Sequence, residues 1–248
     1  LQFHDWKAVK QVTETSPYRW QDGLRDGLPI GLGYLSVSFG FGISAVSLGL
    51  PAISAILTSL TNLTSAGQMA GIAIIASGGS LAEMAAAQFV INLRYALMSL
   101  SLTQKVDNSF TLPQRMILSF LITDEIFAVS STKEKRIGAR YFYGLGLLPI
   151  VGWVLGTALG AFAGMVLPQD LTAALGIMIY GMFLAILIPP AKKERGVLAA
   201  VVISAAMSCC IRYIGALSFL SSGFSIILCA VTASAAAALL RPVEVSDE

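Results

Sequence analysis

The chain has 248 residues, 56% hydrophobic and only 12% charged, with a formal net charge of +2 and a mean hydropathy of +0.76. A soluble domain carries about 25% charged residues, so half that charge combined with long apolar runs excludes a soluble globular fold and marks a polytopic membrane protein. The small net charge gives no reason to expect a nucleic-acid partner.

The hydrocarbon core of a bilayer is about 30 Å thick, so each span needs roughly 20 residues. With no water in the lipid, spans must be helices or a closed barrel. These runs are continuous and lack the period-two alternation of barrel strands, so an all-α fold with about eight transmembrane helices is expected. Residues 1–27 form a cytoplasmic or interfacial arm. It carries Lys7, Lys10, Arg19 and Arg25 beside Trp6, Tyr18 and Trp20, aromatic and basic residues that suit the headgroup region. The arm lacks the apolar core of a signal peptide. The membrane domain covers 28–240, and 241–248 is a cytoplasmic tail.

In chain order, span one is about Leu28–Leu50 and span two about Pro51–Ser77, followed by the turn Gly78-Gly79-Ser80. Span three is about Leu81–Leu102, and a polar loop precedes span four at about Arg115–Ser131. Span five is about Tyr141–Val166, with Pro149 expected to kink it. Span six, about Leu171–Ile188, is expected to end at Pro189-Pro190. Spans seven and eight are about Val197–Ile211 and Ser221–Leu240. With both termini inside, twelve basic residues fall inside and three outside, and Arg94 accounts for the last of the sixteen. This obeys the positive-inside rule. A span two that re-entered would move the Lys133–Arg140 cluster outside, so a crossing, either intact or broken, is preferred.

Arg94 sits deep in span three, where a guanidinium costs about 2.5–3.5 kcal/mol even on insertion scales. It needs a partner, a water-filled cavity or a substrate. Asp124 and Glu125 lie at similar depth in span four, and an Arg94–Asp124 or Arg94–Glu125 pair is open. Such a pair is either a structural lock or part of a site that opens to ligand or protons. Span two centres on Thr61-Asn62-Leu63-Thr64-Ser65-Ala66-Gly67-Gln68, poor helix-interior residues. They fit an unwound helix that exposes backbone groups to a substrate, or an intact helix bonded to its neighbours. A turn of about 100° per residue puts Gln88, Asn92, Tyr95 and Ser99 on one stripe of span three, with Arg94 pointing elsewhere. Glu83, roughly 16 Å from Arg94 along the helix, reads as interfacial. Gly152, Gly156, Gly160 and Gly164 form a stripe that permits close helix contact, within the chain or with a second copy in a homo-oligomer. Cys209, Cys210 and Cys229 lack metal-ligand spacing and the only histidine is His4, so no metal, cofactor or enzymatic chemistry is expected.

Ile91-Asn92-Leu93-Arg94-Tyr95-Ala96-Leu97-Met98-Ser99 and Thr123-Asp124-Glu125-Ile126-Phe127-Ala128 resemble the Asn-Leu-Arg and Thr-Asp-Glu-x-Phe-Ala motifs of the AzlC family of branched-chain amino acid permeases. Gly33-Tyr34, Phe41-Gly42, Gln68 and Trp153-Val154-Leu155-Gly156-Thr157 match as well, so the resemblance covers roughly residues 25–165. The chain departs from the family at Ser36, Ser38, Thr64–Gly67 and Tyr95. The resemblance implies a multi-pass secondary transporter, an exporter of branched-chain or related amino acids in the bacterial plasma membrane. It also implies a small multispanning partner of the AzlD type. On that basis Asn62, Ser65, Gln68, Asn92, Arg94 and Tyr95 are candidate substrate-binding residues, and Asp124 and Glu125 candidates for ion or proton coupling. A channel, or a scaffold subunit with a purely structural Arg–carboxylate pair, is the alternative.

Overall fold

The computed structural model describes residues 16–107, 110–176, 178–214 and 219–240. The expected arm as far as residue 15 and the tail 241–248 lie outside them. The described residues form helices α1 (Trp20–Ser47), α2 (Ala52–Thr61), α3 (Ala66–Ala76), α4 (Leu81–Leu102), α5 (Leu112–Ser119), α6 (Asp124–Ser131), α7 (Ala139–Val166), α8 (Gln169–Gly176), α9 (Met178–Lys193), α10 (Arg195–Tyr213) and α11 (Ser222–Leu240). The chain is therefore all-helical, as composition required. Among the described residues α1, α7 and α10 are long and apolar enough to cross a membrane by themselves.

The centre of the fold is the pair α1 and α7. Between lipid-facing helices the driving force is close packing, which small residues permit. The expected glycine stripe of α7 lies on α1 within the same chain. A Cβ on Gly152 would strike the Gly31 carbonyl, one on Gly156 that of Leu35, and one on Gly160 that of Phe39. A Cβ on Gly144 would strike the Trp20 carbonyl in the same way. The pairs advance together along both helices, so α1 and α7 run parallel in one register. Gly164 is looser, with its nearest neighbour, the Ile43 Cα, at 3.4 Å from a Cβ placed there. α1 begins at Trp20, eight residues before the expected Leu28, because Asp22 accepts the Arg19 backbone N–H at 2.7 Å and opens the helix inside the arm. Neither Pro29 in α1 nor Pro149 in α7 ends its helix, and α9 runs on through Pro189 and Pro190 to Lys193.

Two segments depart from the expected crossings. Span two does break, at 62–65, but α3 does not continue in the direction of α2. Gln68 donates to Ser59 across the break at 3.0 Å. Further from the break, Ile72 packs with Ala55, Phe41 and Ala45 in one buried cluster. Later residues of α3 thus return beside earlier residues of α2, near the Ser47 end of α1. α2–α3 is a helical hairpin. The turn at Gly78, whose φ of +69° favours glycine, delivers α4 from that same end. α4 then runs the full length of the pair to the Trp20 end, where the backbones of Lys105, Asp107 and Ile137 bond.

Span four is the second departure. It is not one helix but α5 and α6, separated at 120–123. Phe110 stacks near Phe142 at the start of α7. Leu121 then reaches Gly146, one turn further along α7. After α6 the chain is back at the Trp20 end, where Lys133 pairs with Asp26 at 2.6 Å and its carbonyl accepts the Lys105 ammonium at 2.8 Å. α5–α6 is a second helical hairpin, whose ends lie at the opposite end of the pair from those of the first. Spans two and four are thus each a pair of short helices that double back, not one continuous helix. The physical reason is local: Asn62–Ser65 and the Thr123 cap end their helices at mid-depth, and irregular backbone at that depth is tolerated only inside protein or beside a cavity. The sequence argument against re-entry assumed a single reversal. Two reversals cancel, and Lys133–Arg140 stays at the end it was expected to occupy.

Candidate functional site

The tips of the two hairpins meet midway along α1 and α7, around a cavity of about 210 Å³. Each tip brings a helix N-terminus to it. At the first, Ser65 takes φ +36° and ψ −71°, a left-handed conformation that non-glycine residues rarely hold and that clusters at functional sites. At the second, the Thr123 hydroxyl accepts the Ile126 N–H at 3.4 Å and caps α6. That cap places Asp124 and Glu125 in the first turn, where the helix dipole favours acidic side chains.

The charges are arranged in two pairs. Arg94 Nη1 meets Asp124 Oδ2 at 2.7 Å, with both side chains about two-fifths exposed. The Arg94 guanidinium also donates to the Tyr95 hydroxyl at 3.2 Å and lies over the Tyr95 ring, 5.0 Å from its centroid. Tyr34 of α1 donates its hydroxyl to Glu125 Oε2. Asp124 neutralises Arg94, so Glu125 is a surplus negative charge held by a neutral donor. Leu63, Trp153, Phe183 and Leu187 supply the apolar wall.

Behind the wall a buried chain of hydrogen bonds fixes Trp153. Its indole N–H donates to Gln68 Oε1 at 2.9 Å, and Gln68 Nε2 donates to Ser59. Ser59 and Thr157 share a bond of 2.7 Å, and Thr157 returns to the Trp153 carbonyl at 3.0 Å. The Trp153 ring meets the Tyr34 ring edge-on, centroids 5.2 Å apart. The chain therefore ties the first hairpin to α7 and, through Tyr34, to the carboxylate on the second.

The structure brings Ser65, Arg94, Tyr95, Asp124 and Glu125 onto the cavity wall, and places the other candidates behind it. Gln68 is 1% exposed and belongs to the Trp153 network. Asn62 accepts the Thr64 N–H at 2.9 Å and shapes the tip. Asn92 donates to Gln88 at 2.9 Å, and Gln88 donates to the Gly67 carbonyl at 2.7 Å, so that stripe joins α4 to α3. Arg94 does not point away from Tyr95 as expected: its long side chain folds back over the neighbouring ring. Glu83, read as interfacial, is buried against protein. It accepts the Ser221 hydroxyl at 2.5 Å and the Gly223 N–H at 2.7 Å, which pins α4 to the N-terminus of α11.

A family profile described as AzlC protein matches residues 29–167, from the first turns of α1 to the end of α7. The chain belongs to the AzlC family. The inner membrane protein YgaZ of Escherichia coli (strain K12) is 28% identical over 183 residues, covering 71% of this chain and 75% of that protein. An uncharacterized membrane protein of Archaeoglobus fulgidus is 36% identical over 178 residues, covering 71% and 78%. No solved structure matches. The match to the AzlC family contains both hairpins and every charged residue of the cavity. Phe183 and Leu187, which complete the apolar wall, lie beyond it.

In this AzlC chain, sequence reasoning did not assign Tyr34, Thr123 or Trp153 to the site. Tyr and Trp concentrate at the bilayer interfaces, yet Tyr34 and Trp153 lie in the middle of long apolar helices. That displacement was a usable signal. Thr followed by two acids is likewise an N-cap pattern, and it marked the second break.

Proposed function

We propose that this membrane protein is a secondary transporter exporting branched-chain or related amino acids across the bacterial plasma membrane, together with a small AzlD-type subunit. The observation that carries the reading is the pairing at the cavity: Arg94 with Asp124 and Tyr34 with Glu125, where two opposed hairpins meet. A zwitterion needs an anion partner and a cation partner within a few ångströms. Arg94 and the N-terminus of α3 at Ser65 suit a carboxylate, and the surplus charge of Glu125 suits an ammonium group. The Leu63, Trp153, Phe183 and Leu187 wall suits an aliphatic side chain. At about 210 Å³ the cavity is below the roughly 300–1,000 Å³ of drug-sized sites, which fits a ligand of amino-acid size.

The proposed topology has six crossings and two re-entrant hairpins, with both termini cytoplasmic. Charge supports it. With both hairpins folding back, Lys105 and Arg115 join Arg19, Arg25 and Lys133–Arg140 on the Trp20 side, as the positive-inside rule favours. Counterflow of labelled leucine, isoleucine or valine in liposomes, with and without the small subunit, tests the function. Exchange that falls at least tenfold in Asp124→Asn and Arg94→Lys supports the site. Exchange untouched by both makes the pair a structural lock, and no exchange of any amino acid removes the substrate class.

A further inference from the structure

We propose that a second cavity, stacked on the Trp20 side of the first, is a vestibule that receives the apolar amino acid from the cytoplasm before it enters the central site. This rests on the transporter reading. The second cavity holds about 210 Å³ between the end of α4, the hairpin arm α5 and the start of α7. Leu102, Phe110, Leu118 and Phe142 form its apolar body, and all four are buried members of one core cluster. Ser99 on α4, and Arg115 and Ser119 on α5, supply the polar groups. The two cavities share a partition. Tyr95 lines the first and Ser99 the second, one turn apart on the same face of α4. Thr123 lines the first and Ile122 the second, adjacent in the chain. Four residues of helix rise about 6 Å, so about one layer of side chains separates them.

The residues of α5 divide between two faces. Arg115, Leu118 and Ser119 follow at helical spacings of three and four and line the cavity. Leu112, Met116 and Ile117 do not line it and are exposed, so lipid is met by the other face of the helix. A guanidinium beside an apolar wall is costly without an anion. The ion pairs among the described residues are Arg94–Asp124 and Lys133–Asp26, and Arg115 belongs to neither. Its Nε donates to the Phe110 carbonyl at 3.4 Å, which anchors the side chain beside the wall and leaves both Nη groups for a ligand. A cation next to an apolar body complements a carboxylate that carries an aliphatic side chain, the chemistry proposed for the central site. The negative end of the α4 dipole, where Leu102 and Thr103 form the rim, suits the ammonium group. Arg115 on the Trp20 side and Arg94 at mid-depth are thus two successive stations for one carboxylate.

The test places a thiol in the vestibule of the full chain, Ser99→Cys or, on the opposite wall, Ser119→Cys, with Cys209, Cys210 and Cys229 replaced by serine. In lipid nanodiscs, where both faces meet water, each thiol should react with small water-soluble methanethiosulfonates, anionic or cationic. Leucine should slow that reaction roughly tenfold at ten times its half-saturating concentration, and should still do so in Arg94→Lys. Arg115→Gln should slow the anionic reagent and spare the cationic one. Ser99→Trp fills the vestibule, so leucine counterflow in liposomes should fall roughly tenfold while leucine still raises Tm through the central site. Thiols that neither reagent reaches make the cavity a lipid-filled crevice and overturn the proposal. So does labelling that leucine does not slow in a protein whose counterflow is intact, because leucine then bypasses Arg115. Protection that vanishes in Arg94→Lys comes from the central site and also overturns it. If the wild type exchanges no amino acid at all, the transport reading fails, and the vestibule falls with it.

Discussion

Glu125 is the charge that the Arg94–Asp124 pair leaves over, and Tyr34 is the group that holds it. A hydrogen bond to a charged group contributes about 1.5–3 kcal/mol, and here it also aims the carboxylate at the cavity. Tyr34→Phe removes the hydroxyl and keeps the ring against Trp153. The expected outcome is a roughly tenfold fall in amino acid exchange per folded molecule, about 1.4 kcal/mol, beside a fall in Tm of several degrees. Equal exchange by wild type and Tyr34→Phe would separate Glu125 from transport. Glu83 is the opposite case, a buried carboxylate with an architectural task. Its Oε1 accepts the Gly223 N–H at the N-terminus of α11, where the helix dipole favours a negative charge. Glu83→Gln keeps the shape and loses the charge, so Tm should fall by about 2–6 °C. Exchange per folded molecule should stay at the wild-type level, and a selective loss of exchange would place Glu83 in the mechanism.

Among the elements, the α1–α7 contact decides stability, and its glycines are not equivalent. Gly152→Ala forces a methyl group into the Gly31 backbone, and overpacking of this kind costs about 1–3 kcal/mol. Gly164→Ala meets nothing closer than 3.4 Å, and Gly33→Ala meets nothing within 4 Å. The expected order of detergent melting temperatures is therefore Gly152→Ala well below Gly164→Ala and Gly33→Ala, with the last two near wild type. Similar losses at all three would mean that the stripe packs against a second chain instead. Much at this scale was legible. α4 occupies the expected Leu81–Leu102, because apolar length and the Gly78-Gly79-Ser80 turn bound it at one end and the polar loop at the other. The first break was legible in Asn62, Thr64 and Ser65. The second was hidden because Phe120-Leu121-Ile122 reads as continuous apolar helix, and only the Thr123 cap betrays it. In the site, depth narrowed the partner of Arg94 to Asp124 or Glu125, and the structure pairs it with Asp124. Tyr34 and Trp153 did not, because their roles arise where α1, α7 and both hairpins meet, contacts that no local pattern encodes.

For the whole molecule, hydropathy and charge could not separate eight crossings from six with two hairpins. Each hairpin reverses the chain once, so both topologies leave α7 parallel to α1 and the Lys133–Arg140 cluster on one side. They disagree only between the hairpins. With eight crossings the turn before α4 lies inside and the loop after α4 outside. The contacts of α3 with the Ser47 end of α1, and of Lys105 with Ile137 and Lys133, support the proposed topology, which places them the other way round. Single cysteines at Leu81 and Gln104, both exposed at opposite ends of α4, discriminate directly once Cys209, Cys210 and Cys229 are replaced by serine. A membrane-impermeant maleimide added to intact cells should label Leu81→Cys and reach Gln104→Cys only after permeabilisation. The opposite pattern would restore two full crossings and separate the hairpin tips. It would also dissolve the cavity, since Asp124 and Ser65 share a wall only if α2–α3 and α5–α6 enter from opposite faces and stop halfway.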